Sequence, residues 1–280
     1  MTAAAPDRPV AIAVAPNGGR RVKAEHPAIP LDALELAATA AECLAAGASM
    51  IHVHVRDAEG RHLLDAGAYR KAIAAIRAEV GDRLIVQITT EALGIYQPEH
   101  QIAVLKATRP EAASLALREF LRSPADEPLF AEFLAWLRQE QIMPQIILYE
   151  PTEAVRLSEL QRRGLVPWRD VPVLYVLGRH TVGQTSEPTD LLPFLASDTP
   201  RFRHWSLCAF GRQEAACVVA GALLGGHIRV GFENNLWKPD GSVAAGNAEL
   251  VGLTAAILAA AGRKPMSAQQ LRKLWAGIED

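Results

Sequence analysis

The chain has 280 residues, of which 50% are hydrophobic and 21% are charged, and its 29 basic side chains nearly balance 31 acidic ones. This composition is typical of a globular protein with one large core, and the absence of blocks of like charge argues against nucleic-acid and anionic-membrane binding. Apolar stretches stay well below the ~20 residues that a membrane-spanning helix needs.

The N-terminal segment and the cysteines favour a cytoplasmic protein. Residues 1–7 lack a basic region followed by an apolar one, so we expect no secretion signal. Cys43, Cys208 and Cys217 show no Cys-x-x-Cys spacing. An odd number of isolated cysteines is typical of buried thiols in the reducing cytosol.

Short β-type runs alternate with longer helical stretches from one end of the chain to the other. The predicted strands are 10–14, 50–55, 84–88, 112–115, 143–148, 171–177, 204–207 and 228–232. The predicted helices are 32–46, 66–80, 98–107, 128–139, 152–163, 188–195 and 213–224.

Local signals mark several helix ends. Asp32 is expected to cap the first helix, and Gly47 and Gly164 stand where helices should stop. Ser267, with Gln270 three residues later, predicts one more helix near the C-terminus.

The alternation predicts eight strand–helix units, in a chain slightly longer than the ~250 residues typical of a (β/α)8 TIM barrel. A doubly wound sheet is the alternative, but the even spacing and the lack of a Gly-rich dinucleotide loop favour the barrel. Since no linker divides the chain, we predict an α/β fold in which residues 1–280 form one TIM-barrel domain with an extra C-terminal helix.

Polar residues follow most of the predicted strands, which is where TIM-barrel enzymes place their active sites. These residues are Asn17, His52, His54, Thr89, Thr90, Glu91, Ser114, Tyr149, Glu150, Arg179, His180, Glu233, Asn234 and Asn235. We therefore expect a small-molecule site at this end of the barrel.

His52 and His54 are the strongest candidates for metal binding. In a strand, residues two apart point to the same side, so both imidazoles share one face. If the same alternation continues through the last strand, Arg229, Gly231 and Glu233 share the inner face, and Gly231 leaves room for a ligand. Two imidazoles and one carboxylate with open coordination are typical of catalytic zinc, and they also suit non-haem Fe(II).

The same residues also have structural interpretations. A His-x-His pair can be two hydrogen-bonded polar residues, Ser114 can cap a turn, and Arg229 can pair with a barrel acid. Glu91 can cap the next helix or face solvent. The remaining histidines lack comparable spacing and are expected to be surface or core residues.

Two long motifs resemble the beta-keto acid cleavage enzyme family, named for 3-keto-5-aminohexanoate cleavage. They are GASMIHVHVRD at 47–57 and GGHIRVGFENNL at 225–236, and segments 110–115 and 247–251 add supporting matches. The matches run in order across nearly the whole chain.

The resemblance implies a TIM barrel in which His52, His54 and Glu233 hold a divalent metal, usually zinc. It also implies an acyltransferase that condenses a β-keto acid with acetyl-CoA to give acetoacetate and a new acyl-CoA. The route it suggests is a metal-stabilised enolate that attacks the thioester, followed by retro-Claisen carbon–carbon cleavage. Family members are typically homo-oligomers.

The resemblance also assigns roles around the metal. Arg229 belongs to the active site and can steady an anionic oxygen or the substrate carboxylate. Thr90 and Ser114 match hydroxyl positions that bind the keto acid. Asn17 lies in the first loop, where amino-substrate members carry a glutamate, and is the substrate-binding candidate of that loop.

The chain departs from the family at several acids, which makes it a divergent member. Asn234 stands where many members have aspartate, and an amide cannot titrate. Gln145 replaces a common glutamate, while Glu91 is new where glycines are common. Arg229, Asn234 and Glu91 are therefore the catalytic candidates, with Glu91 either replacing the lost base or recognising a cationic substrate group.

Two other functions remain open. A metal-dependent amidohydrolase-like hydrolase also uses a His-x-His pair on a barrel strand, although usually on the first strand. The second alternative is a catalytically altered barrel that binds a metal or ligand without turnover. No phosphate-binding or dinucleotide loop indicates ATP or NAD.

Overall fold

The computed structural model describes residues 8–278, so the prediction for the N-terminal segment 1–7 lies outside the described residues. The strands are β1 (Ile12–Val14), β2 (Met50–Val53), β3 (Val55–Arg56), β4 (His62–Leu63), β5 (Ile85–Thr89), β6 (Ala112–Ala116), β7 (Met143–Leu148), β8 (Val173–Leu177), β9 (Trp205–Ala209) and β10 (His227–Val230). β3 and β4 form a short antiparallel pair.

The other eight strands close into a barrel with parallel pairing throughout. Each of them pairs with the next barrel strand along the chain, and β10 pairs with β1 to complete the ring. The prediction of a (β/α)8 barrel is therefore confirmed.

The helices surround this barrel. They are α1 (Ala33–Ala45), α2 (Ala66–Val80), α3 (Pro98–Thr108), α4 (Leu117–Phe120), α5 (Glu127–Gln139), α6 (Pro151–Arg162), α7 (Glu214–Leu223), α8 (Asn247–Ala260) and α9 (Ala268–Ala276). Two 3-10 helices occupy Pro124–Asp126 and Pro188–Leu195. Among the described residues, none of the helices combines the length and apolar character needed to cross a membrane.

The predicted helix boundaries agree with the local chemistry. The Asp32 side chain accepts hydrogen bonds from the Leu34 and Glu35 amides at the start of α1. Ser267 forms a capping box with Gln270 at the start of α9. These contacts satisfy amide groups that have no partner inside the first helical turn.

Several helical segments differ from the sequence-based predictions, and the short helices α4 and Pro124–Asp126 were not predicted. Residues 188–195 form a 3-10 helix that contains Pro193, which has no amide hydrogen to donate to a helical bond. Helix α8 was missed because its apolar residues surround the helix instead of forming one stripe, so they show no helical period.

The end of β10 also differs from the prediction. The strand stops at Val230, so the alternation through Gly231 to Glu233 does not hold. Gly231 has a φ of +132°. A Cβ atom there would lie 2.5 Å from the Ala15 carbonyl oxygen. Gly231 therefore permits the close approach of the chain after β1, and the prediction that it leaves room for a ligand is wrong.

We predict that Gly231→Ala lowers the free energy of unfolding by about 3 kcal/mol or more, because it adds a backbone clash to an unfavourable φ. Gly241→Ala is the matched control, since Gly241 also has a positive φ of +86° but would meet no atom within 4 Å. It should cost about 1 kcal/mol. Chemical unfolding measures both, and equal losses would contradict the close-approach role.

Candidate active site

A cavity of about 370 Å³ opens at the C-terminal ends of the barrel strands. It is lined by His52, His54, Thr89, Glu91, Ser114, Ala116, Ile147, Tyr149, Val176, Arg179, Phe210, Arg229 and Glu233. Polar residues from six strand ends therefore meet in one place, as expected for a TIM barrel.

The two histidines of the His-x-His pair face each other. His52 lies within β2 and His54 follows it, and both side chains are 1% exposed. Their Nε2 atoms are 3.2 Å apart. The shared face predicted from the strand spacing is what the structure contains.

Glu233 reaches the histidines from a turn after β10. Its amide donates to the Ala15 carbonyl, which ties this turn to the end of β1. Oε2 of Glu233 lies 3.1 Å from Nε2 of His54 and 3.7 Å from Nε2 of His52. Gly18 lies against this side chain, since a Cβ atom there would be 2.6 Å from the Glu233 Cγ.

These three residues fit a metal ion. All three ligand atoms lie within 4.8 Å of one another, and two nitrogens bound to one tetrahedral zinc at about 2.0–2.1 Å would be roughly 3.3 Å apart. Among the described residues, Oε2 of Glu233 has no hydrogen-bond partner although it is buried. Convergent lone pairs of this kind are unfavourable unless a cation lies between them.

A chain of amides fixes the protonation of His52. Gln87 Nε2 donates to Gln145 Oε1, and Gln145 Nε2 donates to the Ser206 hydroxyl. Gln87 Oε1 therefore faces His52 Nδ1 as an acceptor at 2.8 Å. This leaves the proton on Nδ1 and a free lone pair on Nε2, which is the form that binds metals.

Electrostatics keep the histidine neutral and the carboxylate charged. Burial lowers the pKa of His52 to about 3, although Glu233 opposes this shift. Burial raises the pKa of Glu233, but the charge of Arg229 and the contacts with His54 outweigh it and hold that pKa well below its usual range. Both forms are the ones that bind a metal.

Arg229 is a buried cation on the wall of the cavity, with 3% of its surface exposed. Its Nη2 donates to Glu233 Oε1 at 3.1 Å and to Asn234 Oδ1 at 3.0 Å. Within residues 8–278 its Nε has no hydrogen-bond partner. A buried guanidinium with an unused donor beside a cavity is suited to bind an anionic ligand.

Asn234 does not line the cavity, and its side chain connects Arg229 with Glu214. Its Oδ1 accepts from Arg229, and its Nδ2 donates to Glu214 Oε1 at 3.2 Å. Burial raises the pKa of Glu214 to about 8, against the opposing effect of hydrogen bonds from Asn234, Asn235 and Gly231.

Glu91 lies at the edge of the cavity and forms an ion pair. Its Oε1 accepts from Arg179 Nη2 at 3.1 Å, and its Oε2 lies 3.8 Å from Nδ1 of His54. His62 lies beside both residues. Its Nε2 is 2.7 Å from the Glu91 carbonyl oxygen, and its ring centroid is 5.7 Å from that of His54. His62 lies here although its spacing in the sequence did not indicate it.

The hydroxyl candidates occupy different surroundings. Ser114 lines the cavity, and its Oγ is buried without a hydrogen-bond partner in the described part of the chain. The Thr90 hydroxyl instead donates to the Ser114 carbonyl, and Thr89 is the threonine that lines the cavity.

Asn17 is fully buried beside the cavity, where its side chain secures the backbone. Its Nδ2 donates to the carbonyls of Pro30 and His54, both at 2.9 Å. Its Oδ1 has no partner within residues 8–278. Arg56 supports the same loop by donating to the Asn17 and Gly18 carbonyls.

One side of the cavity is apolar. Ala116, Ile147, Val176 and Phe210 line it and belong to one small buried cluster, with Tyr149 packed against it. The Arg179 guanidinium lies over the Phe210 ring at 5.1 Å. The site thus combines a metal-binding side, an anion-binding side and an aliphatic wall.

Comparison with known proteins identifies the family. The profile of the beta-keto acid cleavage enzymes matches residues 9–276. A 3-keto-5-aminohexanoate cleavage enzyme of Fusobacterium nucleatum subsp. nucleatum is 28% identical over 267 residues, covering 91% of this chain and 94% of that protein. A 3-oxoadipate:acetyl-CoA acetyltransferase of Cupriavidus necator is 25% identical over 278 residues, covering 95% of this chain and 94% of that protein.

Solved structures support the fold. The ternary complex of ObcA with a C4-CoA adduct and oxalate superimposes with a TM-score of 0.69 at 18% sequence identity. The match covers 89% of this chain and 68% of that one. Because the family profile spans nearly the whole chain, the family prediction is confirmed, and this protein belongs to the beta-keto acid cleavage enzymes.

Proposed function

We propose that this protein exchanges the acyl group of a β-keto acid with acetyl-CoA, giving acetoacetate and a new acyl-CoA. The observation that carries the proposal is the convergence of His52, His54 and Glu233 beside the buried cation of Arg229. Family membership and a relative named 3-oxoadipate:acetyl-CoA acetyltransferase support this substrate class and cosubstrate.

The metal in this proposal is zinc or another divalent ion, held by His52, His54 and Glu233. When bound, it supplies a Lewis acid that favours negative charge on a ketone oxygen. Gln87 Oε1 accepts a hydrogen bond from the Nδ1–H of His52. This keeps the lone pair on Nε2 of the same ring available for the metal.

Arg229 and Ser114 are the proposed substrate-binding groups. The Arg229 guanidinium binds the substrate carboxylate, and low exposure strengthens this charged hydrogen bond. The unpartnered Ser114 hydroxyl binds a second oxygen of the keto acid. Thr89 takes the role predicted for Thr90, because Thr89 lines the cavity and the Thr90 hydroxyl is already engaged.

Glu91 is the proposed proton acceptor. Apart from Glu233, it is the carboxylate among the residues lining the cavity. It takes a proton from the carbon between the ketone and the carboxylate, and Arg179 stabilises its position. Asn234 cannot serve in this role because an amide does not titrate.

The reaction then balances without a further reactant. The deprotonated carbon attacks the thioester carbonyl of acetyl-CoA, and the thiolate of CoA leaves. That thiolate attacks the original ketone carbon, the adjacent carbon–carbon bond breaks, and acetoacetate leaves with its carbon reprotonated by Glu91. The original acyl group remains on CoA.

The lining also points to a class of keto acid. The Glu91 carboxylate is neutralised by Arg179, so neither charge is free to select an ionic substituent. Ala116, Ile147 and Phe210 offer an apolar wall instead. We therefore propose a short aliphatic acyl group as the preferred one.

Location and assembly complete the proposal. We propose a cytoplasmic homo-oligomer. The three cysteines are buried and free of disulfides, which suits a reducing compartment.

Exposed Leu192 and Leu224 beside one groove offer apolar surface for contact between copies of the chain. Light scattering measures the size of the assembly.

The first test concerns metal content. We expect about one metal ion per purified chain, and we expect His52→Ala to lose both metal and activity because it removes one of three ligands. His204→Ala is the control, since His204 lies at the opposite end of the barrel. Elemental analysis and activity assays decide; full metal and activity in His52→Ala would disprove the metal site.

The second test concerns the reaction. Purified protein given acetyl-CoA and a panel of β-keto acids should form acetoacetate, fastest with short aliphatic acyl groups. Arg229→Met should reduce kcat/KM by about 100-fold or more, because it removes a buried charged hydrogen bond. Mass spectrometry of the acyl-CoA product gives the readout. Full metal occupancy with no transfer would support the non-catalytic binding barrel, and hydrolysis without acetyl-CoA would support the amidohydrolase-like alternative.

The third test concerns the base. Glu91→Gln keeps the size of the side chain but removes the proton acceptor, so kcat should fall by about 100-fold or more with little change in metal content. Arg179→Met separates this role from the ion pair, because it leaves the Glu91 carboxylate in place. A Glu91→Gln variant with unchanged kcat would exclude Glu91 as the base.

A further inference from the structure

Glu214, the first residue of α7, is a buried acid that none of the proposed roles uses. Its side chain is 1% exposed and does not line the cavity. Its Oε1 accepts from the Gly231 amide at 3.1 Å and from Asn234 Nδ2 at 3.2 Å. Its Oε2 accepts from Asn235 Nδ2 at 3.2 Å. Three donors from the turn after β10 thus meet one carboxyl group.

The carboxyl group determines which way the Asn234 amide faces. An amide side chain has a donor end and an acceptor end, and the acceptor oxygens of Glu214 pair with the donor end. The carbonyl end must therefore face Arg229, where Oδ1 accepts from Nη2 at 3.0 Å. The reversed amide would place N–H groups against the donors of the guanidinium, which is repulsive, and would remove the acceptor that now holds Nη2.

The orientation of Asn234 in turn limits the position of Arg229. Nη2 of this guanidinium is held by two oxygens, from Glu233 and from Asn234. Nη2 is thus engaged, whereas Nε has no hydrogen-bond partner among residues 8–278. The Arg229 side chain lines the cavity. A planar guanidinium turns as one body, so losing one of its acceptors changes where Nε points.

We propose that Glu214 is a positioning residue, which orients the Asn234 amide and through it aims Arg229 into the cavity. The kinetic consequence rests on the proposed function, whereas the hydrogen-bonded relay is a property of the free protein. The two can therefore be tested separately.

The kinetic test uses Glu214→Leu, which has a similar size but no acceptor. In the wild-type background it should lower kcat/KM by about 10- to 100-fold, the worth of a hydrogen bond to a charged group. In an Asn234→Ala background the same change should cost less than about threefold, because the relay is already broken. Equal losses in both backgrounds would show a merely structural role and overturn the proposal.

Two further variants guard against loss of folding. Glu214→Gln retains an oxygen that can accept from Asn234, so it should keep kcat/KM within about threefold of wild type. Glu111→Leu is the matched control, because Glu111 also binds arginines, Arg77 and Arg272, but at the opposite end of the barrel. It should lower the melting temperature without changing kcat/KM.

The activity-independent test follows the Arg229 Nε–H signal by nuclear magnetic resonance, assigned through its loss in Arg229→Lys. Glu214→Leu should shift this signal, whereas Glu214→Gln and Glu111→Leu should leave it in place. An unmoved signal in Glu214→Leu overturns the relay even if the wild type transfers acyl groups. A shifted signal in a protein without acyl transfer supports the relay and refutes the proposed function alone.

Discussion

Three electron-pair donors directed at one another impose the main constraint on this structure. The ligand atoms of His52, His54 and Glu233 lie within 4.8 Å, in surroundings that water hardly reaches. Lone pairs at this range repel, and a divalent cation converts that repulsion into attraction. Gln87 and Arg229 serve this arrangement, because one fixes a tautomer and the other balances a carboxylate. The side chains at this end of the barrel thus form an arrangement that fits a divalent cation.

The barrel could be predicted from sequence because its signals are local. Each strand carries a short apolar run, and helix starts such as Asp32 and Ser267 carry their own capping chemistry. Two of the failures have different causes. Helix α8 is apolar on all sides, so the pattern that reveals a surface helix is missing. The segment Pro188–Leu195 was predicted as an ordinary helix from its apolar residues. It forms a 3-10 helix, and Pro193 limits its backbone hydrogen bonding.

The site could be predicted only where its residues lie close in sequence or end a strand. His52 and His54 were found by their spacing, whereas Glu233 lies beside them for a different reason than expected, since a turn and not strand alternation places it there. Gln87 and Glu214 were missed because their partners lie 17 or more positions away. Gln87 did leave a trace, as a polar residue inside an apolar strand. Glu214 left none.

The amide chain beneath the histidines has a consequence for proton traffic. Gln87, Gln145 and the Ser206 hydroxyl connect His52 to the lower barrel through groups that do not titrate in the physiological range. This hydrogen-bonded chain therefore contains no group that stores a proton. In the proposed reaction the proton is instead held by Glu91, which lines the cavity.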